Sequence, residues 1–355
     1  MRYSLKCLSC GRVFESTYKK QTCGYCDGLL EVDYAYSTPR RMSDLFNFWK
    51  YQPFLPAGRY THYALGGTKL IPSLHDSRIY LKLELENPTR SFKDRGSVVE
   101  IGKAQEYGYK EIVCASTGNM AFSLSYFAKL AGIRSVVYVS SGANKDKVTY
   151  IRQTHDAEVR LVKGDFTKAQ QLAFAYAKRH KGKAFLTGDY CYRKEGQKTV
   201  AYEIMDQIGD VTHIVMPVGN ATLFSAVYKA LKEMQLFGLV EKMPKFVAVQ
   251  AHGCDPVVKA FEAGTEIAYQ KPKTKADAIA VGMPTFGNQA LGALKETGGL
   301  AVSVTEEEME EEQRRFHEEY ALVAERAGVA SIVAAKKLEL GEEDVAVAIV
   351  SGGNV

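Results

Sequence analysis

No run of apolar residues in this chain approaches the roughly 18 that a bilayer-spanning helix requires, so no membrane span is expected. The N-terminus, Met1-Arg2-Tyr3-Ser4-Leu5-Lys6, leads into no apolar stretch, and no secretory leader is expected. Internal repeats and low-complexity tracts are missing, which argues against solenoid arrays and disordered tails. Charge of one sign is scarce as well. The 46 basic and 41 acidic residues leave a formal charge of +5 over 355 residues. That bias is too small to specify nucleic acid or a membrane surface, and it is compatible with an anionic cofactor and substrate. Cysteine is limited to seven residues, scattered apart from two close pairs. This pattern reads as a reducing, cytoplasmic chain with a metal site and excludes a disulfide scaffold. The remainder is ordinary globular material, 46% apolar and 25% charged, long enough for two domains and a substantial core.

Residues 1–36 read as a separate unit. Cys7-x-x-Cys10 is followed after twelve residues by Cys23-x-x-Cys26. Two such knuckles can place four thiolates tetrahedrally around zinc, and four cysteines leave no open position, so the metal would be structural. A segment this short buries little apolar area, and a metal would supply the missing folding energy. The same spacing also fits a ribbon that has lost its metal, or loose reduced thiols. From Tyr36 to Leu65 runs a linker rich in aromatics and proline, including Trp49, Pro53, Phe54 and Pro56.

Strand-like and helix-like stretches then alternate. Strands are expected at Ile79–Glu84, Ile112–Ala115, Val136–Val139, Glu158–Val162, His213–Pro217, Phe246–Gln250 and Val345–Val350. Helices are expected over 97–107, 121–130, 145–154, 166–179, 195–207, 306–327 and 330–338, with Thr305 capping the acidic run that begins at Glu306. This alternation predicts an α/β protein with mostly parallel sheets and right-handed crossovers.

Three turns carry candidate chemistry. Asn87-Pro88-Thr89-Arg90-Ser91-Phe92-Lys93-Asp94-Arg95-Gly96 joins a strand to a helix and sets Lys93 at the junction. Helix-start amides favour anions and lower a lysine pKa, and such a lysine can hold an aldehyde cofactor as a Schiff base. Taken alone, Ser-Phe-Lys is equally a surface lysine paired with neighbouring charges. Ser116-Thr117-Gly118-Asn119 follows a strand and opens a helix, which suits an anion or an ordinary helix cap. Val218-Gly219-Asn220-Ala221-Thr222-Leu223 is a second strand–glycine–helix turn, suited to cradling a phosphate.

The first of these turns resembles the cofactor-lysine motif of threonine synthases, in the second fold class of pyridoxal-phosphate (PLP) enzymes. Further motifs follow in that family's order, and the resemblance extends from the N-terminal cysteines to Ser351-Gly352-Gly353-Asn354. It implies a two-domain fold with the cofactor between domains. The small domain would be 93–188, the large PLP-binding domain 37–92 with 189–355, and 1–36 a zinc-ribbon-like leader. It implies that Lys93 binds PLP with Phe92 beside it, that Asn119 hydrogen-bonds the cofactor's 3′ oxygen, and that Ser351 faces the pyridine nitrogen. Gly219, Asn220, Ala221, Thr222 and Leu223 would hold the cofactor phosphate. Ser116, Thr117, Gly118 and Asn119 would hold the substrate carboxylate. Arg193, in a stretch similar to Asn-Pro-x-Arg-x-Glu-Gly-Gln-Lys-Thr, would hold a substrate phosphate with its guanidinium fork. A homodimer is the family's usual state.

Departures from the pattern cluster at the substrate end. Thr187-Gly188 replaces Asn-Ser, Met120 replaces a threonine, and Thr222-Leu223 ends the phosphate loop differently. Glu325-Arg326-Ala327-Gly328 replaces Glu-Pro-Ala-Ser, and the terminal Ser-Gly-Gly-Asn is more like dehydratases and racemases. The expected activity is a PLP-dependent lyase turning O-phosphohomoserine and water into threonine and phosphate. Alternatives are a serine or threonine dehydratase, a β-replacement enzyme on an O-activated serine, or a non-catalytic zinc-ribbon binding protein. A small, phosphorylated amino acid is the expected partner, with no nucleic acid and no membrane.

Overall fold

A computed structural model describes residues 3–35, 46–56, 58, 60–116, 118–140, 148–152, 156–164 and 166–354. In chain order the strands are β1 (Tyr3–Cys7), β2 (Val13–Glu15), β3 (Leu30–Tyr34), β4 (Leu70–Pro72), β5 (Ile79–Leu83), β6 (Glu111–Ala115), β7 (Arg134–Ser140), β8 (Glu158–Val162), β9 (Ala184–Leu186), β10 (His213–Pro217), β11 (Lys245–Ala251), β12 (Leu300–Val304) and β13 (Ala346–Val350). The helices are α1 (Lys93–Glu106), α2 (Asn119–Leu130), α3 (Phe166–Arg179), α4 (Cys191–Gln197), α5 (Thr199–Ile208), α6 (Thr222–Leu236), α7 (Pro256–Ala263), α8 (Gly287–Thr297), α9 (Glu306–Tyr320) and α10 (Arg326–Ala335). They divide into two compact units, Met1–Ala64 with Lys93–Gly196 and Leu65–Phe92 with Gln197–Val355.

The first unit holds two sheets. β2-β1-β3 is antiparallel, and its strands alternate: Tyr3, Leu5 and Cys7 are buried on β1, as are Leu30, Val32 and Tyr34 on β3. Period-two burial of this kind gives a sheet with one covered face. β8-β7-β6-β9 is wholly parallel. Its β6 strand is buried along its whole length, as a strand covered on both faces should be. The antiparallel sheet is tied to the helices of its own unit. Tyr34 Oη donates to Glu195 at 2.6 Å, and Lys103 Nζ donates to Tyr3 Oη at 2.8 Å. Of the 36–65 linker, residues 36–45, 57 and 59 lie outside the described residues. The rest includes a 3₁₀ turn, Phe48–Phe54, with Phe48, Trp49, Tyr51 and Phe54 buried.

Two glycines set how α1 meets α4. A Cβ on Gly196 would stand 1.9 Å from the Arg95 carbonyl oxygen and 2.8 Å from Gly96 Cα. A Cβ on Gly96 would stand 2.6 Å from Arg193 Cγ. Backbones come this close only where neither residue carries a side chain.

The second unit is built on a six-stranded sheet, β12-β11-β10-β13-β5-β4, parallel except for β4 against β5. β10 and β13 are buried throughout, and α10 packs over them with Val329, Ile332 and Val333. Charges lie inside this core. Lys82 on β5 is fully buried, and its Nζ reaches Glu203 at 2.9 Å, Gln207 at 2.8 Å and the Thr68 carbonyl at 2.7 Å. Lys198 pairs with Glu233 at 2.9 Å, and Tyr202 Oη donates to the same carboxylate at 2.8 Å. Buried charges persist only with this degree of pairing.

The α/β class and the parallel sheets agree with expectation. Three local expectations need correction or limit. The helix expected over 195–207 is two, α4 and α5, interrupted at Lys198; Gly196 is held against Arg95 on one side and Lys198 by Glu233 on the other. The helix expected over 306–327 stops at Tyr320. Ala321 turns left-handed with φ of 53°, and α10 starts at Arg326, where Glu325 N–H donates to the Gly352 carbonyl at 3.0 Å. Tertiary contact has overridden propensity there. The capping box of Thr305 with Glu308 is present. Of the helix expected over 145–154, only 148–152 is described, and that stretch is helical throughout. Among the described residues, no helix is long and apolar enough to cross a membrane.

The glycine crossing is directly testable. Gly196→Ala should destabilise the protein by about 3 kcal/mol or more, because the clash is with backbone that has no rotamer to escape into. Gly292→Ala, on α8 where an added Cβ meets nothing within 4 Å, should be neutral or stabilising by about 0.5–1 kcal/mol. Denaturant unfolding of both variants beside the parent measures the contrast.

Candidate active site

The stretch before Lys93 is fastened to the end of β13. Ser91 forms a bridge to Gly352, and Phe92 N–H donates to the Ser351 carbonyl at 3.1 Å. Arg90 is left-handed, with φ of 56°, and its guanidinium reaches the carbonyls of Val323 at 2.9 Å and Gly353 at 3.1 Å. Asn354 Nδ2 donates to the Thr89 carbonyl at 2.7 Å. Asn87 locks the start of the loop, donating to Glu84 and accepting the Gly66 N–H at 3.0 Å. Within the second unit, Phe92 and the buried Ser351 are therefore neighbours.

Lys93, half-buried, is the first residue of α1. Asn119 is the first residue of α2, and the two helices pack side by side with Ser123 Oγ donating to Ser97 Oγ at 2.7 Å. Gly118 caps α2 without a side-chain bond; its N–H donates to Ser116 Oγ at 3.3 Å, and a Cβ there would meet nothing within 4 Å. Ser116 and Asn119 are buried. Thr117 lies outside the described residues.

In the second unit, Gly219 and Asn220 join β10 to α6 through Ala221, a non-glycine residue with φ of 59°. A Cβ on Gly219 would stand 2.9 Å from the Ala278 carbonyl, so this turn also needs glycine for close approach. Asn220 Oδ1 accepts from Thr285 Oγ1 at 3.1 Å, and the Asn220 carbonyl accepts the Phe286 N–H at 2.9 Å. Thr222 and Leu223 open α6, whose first turn receives no side-chain cap from Ala221. In the first unit an amine at a helix start is a group that can take an aldehyde, and in the second unit a braced, glycine-tight turn before a helix suits a phosphate.

Arg193 is fully buried and its donors are engaged. Nη2 reaches Glu100 Oε2 at 2.5 Å and Ser97 Oγ at 3.3 Å. Nε donates to the Gly188 carbonyl at 2.9 Å, and Nη1 to the Lys93 carbonyl at 3.4 Å. Glu100, also fully buried, accepts in addition the Gly188 N–H at 2.9 Å and Gln21 Nε2 at 3.2 Å. Burial raises the Glu100 pKa, while Arg193, the Gly188 N–H and Gln21 pull it back. Sequence reasoning did not single out Glu100. Its available signal was its place seven residues, two turns, after Lys93 on one helix face. Two of the substituted positions also meet here: a Cβ on Gly188 would lie 3.9 Å from Met120 Cε.

The four N-terminal cysteines converge. Their sulfurs all lie within 4.8 Å of one another, with Cys7–Cys26 at 3.6 Å and Cys10–Cys23 at 3.8 Å. A tetrahedron with metal–sulfur bonds of about 2.3 Å has edges of about 3.8 Å, so this spacing is compatible with a small zinc site. Burial acts to raise the Cys7 thiol, but hydrogen bonds from the Cys10 and Ser9 amides outweigh it and bring it to about 7.

The family of pyridoxal-phosphate dependent enzymes matches residues 62–352. A threonine synthase of Methanosarcina acetivorans is 35% identical over 372 residues, covering 99% of this chain and 91% of its own. One of Methanocaldococcus jannaschii is 34% identical over 355 residues, covering 94% and 87%. Among solved structures, maize serine racemase superposes with a TM-score of 0.70 at 22% identity, over 81% of this chain and 88% of its own. Serine racemase from Dictyostelium discoideum gives 0.64 at 27% identity, over 78% and 87%. The solved structures share the fold, the sequence relatives share nearly the whole length, and the chain belongs to the pyridoxal-phosphate dependent enzymes as a threonine synthase-like carbon–oxygen lyase.

Proposed function

We propose that this chain breaks the Cγ–O bond of O-phosphohomoserine, releasing phosphate, and adds water at Cβ while Cγ gains a proton, giving threonine. The observation that carries this reading is Lys93 at the first position of α1, in a chain that matches relatives named threonine synthase over nearly their whole length. When bound, PLP supplies an electron sink for charge developing at the substrate's Cα. Lys93 would hold the cofactor, and its amine would move protons at Cα and Cβ as base and acid. The amides of Gly219, Asn220, Ala221, Thr222 and Leu223 hold the cofactor phosphate at the start of α6. Asn119 would hold the ring through its 3′ oxygen, with Phe92 beside it and the Ser351 hydroxyl toward its nitrogen. A hydroxyl partner would not force that nitrogen to be protonated, which suits elimination and replacement. Ser116, Thr117, Gly118 and Asn119 hold the substrate carboxylate at the start of α2.

A second reading keeps the cofactor chemistry and changes the leaving group: a serine or threonine dehydratase, or β-replacement on an O-activated serine. It is favoured by the ion pair that occupies Arg193, the side chain expected to hold a substrate phosphate.

We assign zinc to Cys7, Cys10, Cys23 and Cys26 in a structural role, since four thiolates fill its tetrahedron. None of the seven cysteines is in a disulfide, which fits a reducing, cytoplasmic setting. The family resemblance supports a homodimer.

Purified protein incubated separately with O-phosphohomoserine, threonine, serine and O-phosphoserine, with products identified by mass, tests the first reading. Threonine plus phosphate from O-phosphohomoserine is expected under it; a 2-oxo acid from threonine or serine, with O-phosphohomoserine untouched, replaces it with the second. Lys93→Ala should lose the visible absorption of the lysine-bound cofactor and all turnover. For the metal, elemental analysis should find one zinc per chain, and Cys10→Ser with Cys26→Ser should remove it and lower the melting temperature by several degrees. An unchanged melting temperature with no zinc in the parent protein would retire the assignment.

A further inference from the structure

We infer that the first unit carries a second ligand site, a cavity where the N-terminal cysteine segment meets α3 and β9, and that it takes a small organic anion with a flat apolar body. Its lining includes none of the residues assigned above to cofactor, substrate or metal. The inference goes beyond the proposed function and does not depend on which amino acid is turned over.

The first ground is space. The cavity has a volume of about 160 Å³. One water needs roughly 15 Å³, and drug-sized ligands fill clefts of roughly 300 Å³ or more, so this hollow suits a small molecule. The second is the walls. Phe185 on β9 is buried, its ring centre lies 5.2 Å from that of Tyr109, and Phe174 and Ala177 of α3 add to this apolar lining. The N-terminal segment contributes Gln21, itself buried, whose Nε2 donates to the Leu186 carbonyl at 2.5 Å and to Glu100 at 3.2 Å. A wall fixed by such bonds is set before a ligand arrives, which lowers the ordering cost of binding.

The third ground is charge. Lys19, Lys20, Lys178 and Lys181 line the cavity with Asp27 as its one acid; four lysines against one aspartate is a formal +3, where the whole chain carries +5. Lys178 pairs with Asp27 at 3.2 Å, and Lys19 donates to the Tyr107 carbonyl at 3.3 Å. Lys20 and Lys181 have no ion pair among the described residues. Ammonium groups gathered in this way repel one another, and an anion relieves that repulsion. A flat basic patch would suit any polyanion. Lysines lining a concave apolar hollow select a small anion that also carries a ring or compact hydrocarbon. Such an occupant touches 20–22 as well as α3 and β9, so it would clamp the cysteine segment to the parallel sheet. Binding is non-covalent, with no bond made or broken.

The probe is phenyl phosphate, a dianion on a ring, titrated at constant ionic strength into the full, cofactor-loaded chain, with inorganic phosphate as the ringless comparison. A ligand of the folded state raises the melting temperature, and hydrogen exchange shows where it sits. Phenyl phosphate should raise the melting temperature saturably and slow exchange at 19–22 and 182–186. Inorganic phosphate should need about tenfold more or higher, because it buries no ring. Lys20→Gln with Lys181→Gln, both exposed, should leave basal turnover and melting temperature unchanged and raise half-saturation about tenfold or more. Lys242→Gln with Lys295→Gln makes the same charge change on exposed residues of the second unit and should leave half-saturation where it was. Ala177→Phe should fill the hollow and abolish the protection; should it fail to fold, the lysine variants decide alone. Unslowed exchange at 19–22 and 182–186 would overturn the inference whatever the melting temperature does, because any binding would lie elsewhere. Equal half-saturation in the Lys20/Lys181 variant and the parent would overturn it too, as would an equal loss in the Lys242/Lys295 control. Inorganic phosphate binding as tightly as phenyl phosphate would remove the apolar half of the assignment.

Discussion

The close approach of α1 and α4 governs the first unit. At Gly96 and Gly196 the two backbones touch where any side chain would collide. This contact places Arg193 beneath the turns that follow Lys93, within reach of Glu100 on α1 and of the Gly188 carbonyl. A wider helix spacing would leave the guanidinium without these partners and Glu100 as a buried carboxylate without its counter-charge, which is destabilising. Glycine at these two positions is therefore a condition for the ion pair, and the ion pair in turn fixes the electrostatics beside the lysine.

The N-terminal ribbon takes part in the same arrangement. Gln21 lies two residues before Cys23 and donates both to Glu100 and to the Leu186 carbonyl at the end of β9. Tyr3, on the central strand β1, and Tyr34, on the outer strand β3, reach Lys103 and Glu195. This N-terminal segment is thus bonded to α1, α4 and β9.

Much of the fold was readable before any coordinates. Buried parallel strands such as Ile112–Ala115 and His213–Pro217 are short apolar runs between helical stretches, and they appear where those runs predict them. Lys93 was placed at a loop-to-helix junction, and it opens α1. The four cysteines were paired by spacing, and their sulfurs converge. What escaped was what depends on partners far along the chain. Nothing local shows that Lys82, in a strand, meets Glu203, or that Lys198 breaks a helical stretch because Glu233 holds its ammonium. Nothing local shows that the helix after Glu306 stops at Tyr320, or that Glu325 is then bonded to Gly352, just past β13. Glu100 drew no reading from the sequence; its partners are Arg193, Gly188 and Gln21, none of them within its own helix.

Three buried acid–base pairs, Lys82 with Glu203, Lys198 with Glu233 and Arg193 with Glu100, put charges where most proteins put hydrocarbon. Hydration of charged groups carries a strongly negative entropy, so the free energy lost in stripping water from these six side chains shrinks on warming. Apolar burial follows no such trend and levels off. An interior built this way leans on its ion pairs more as the temperature climbs and is at its greatest disadvantage in the cold.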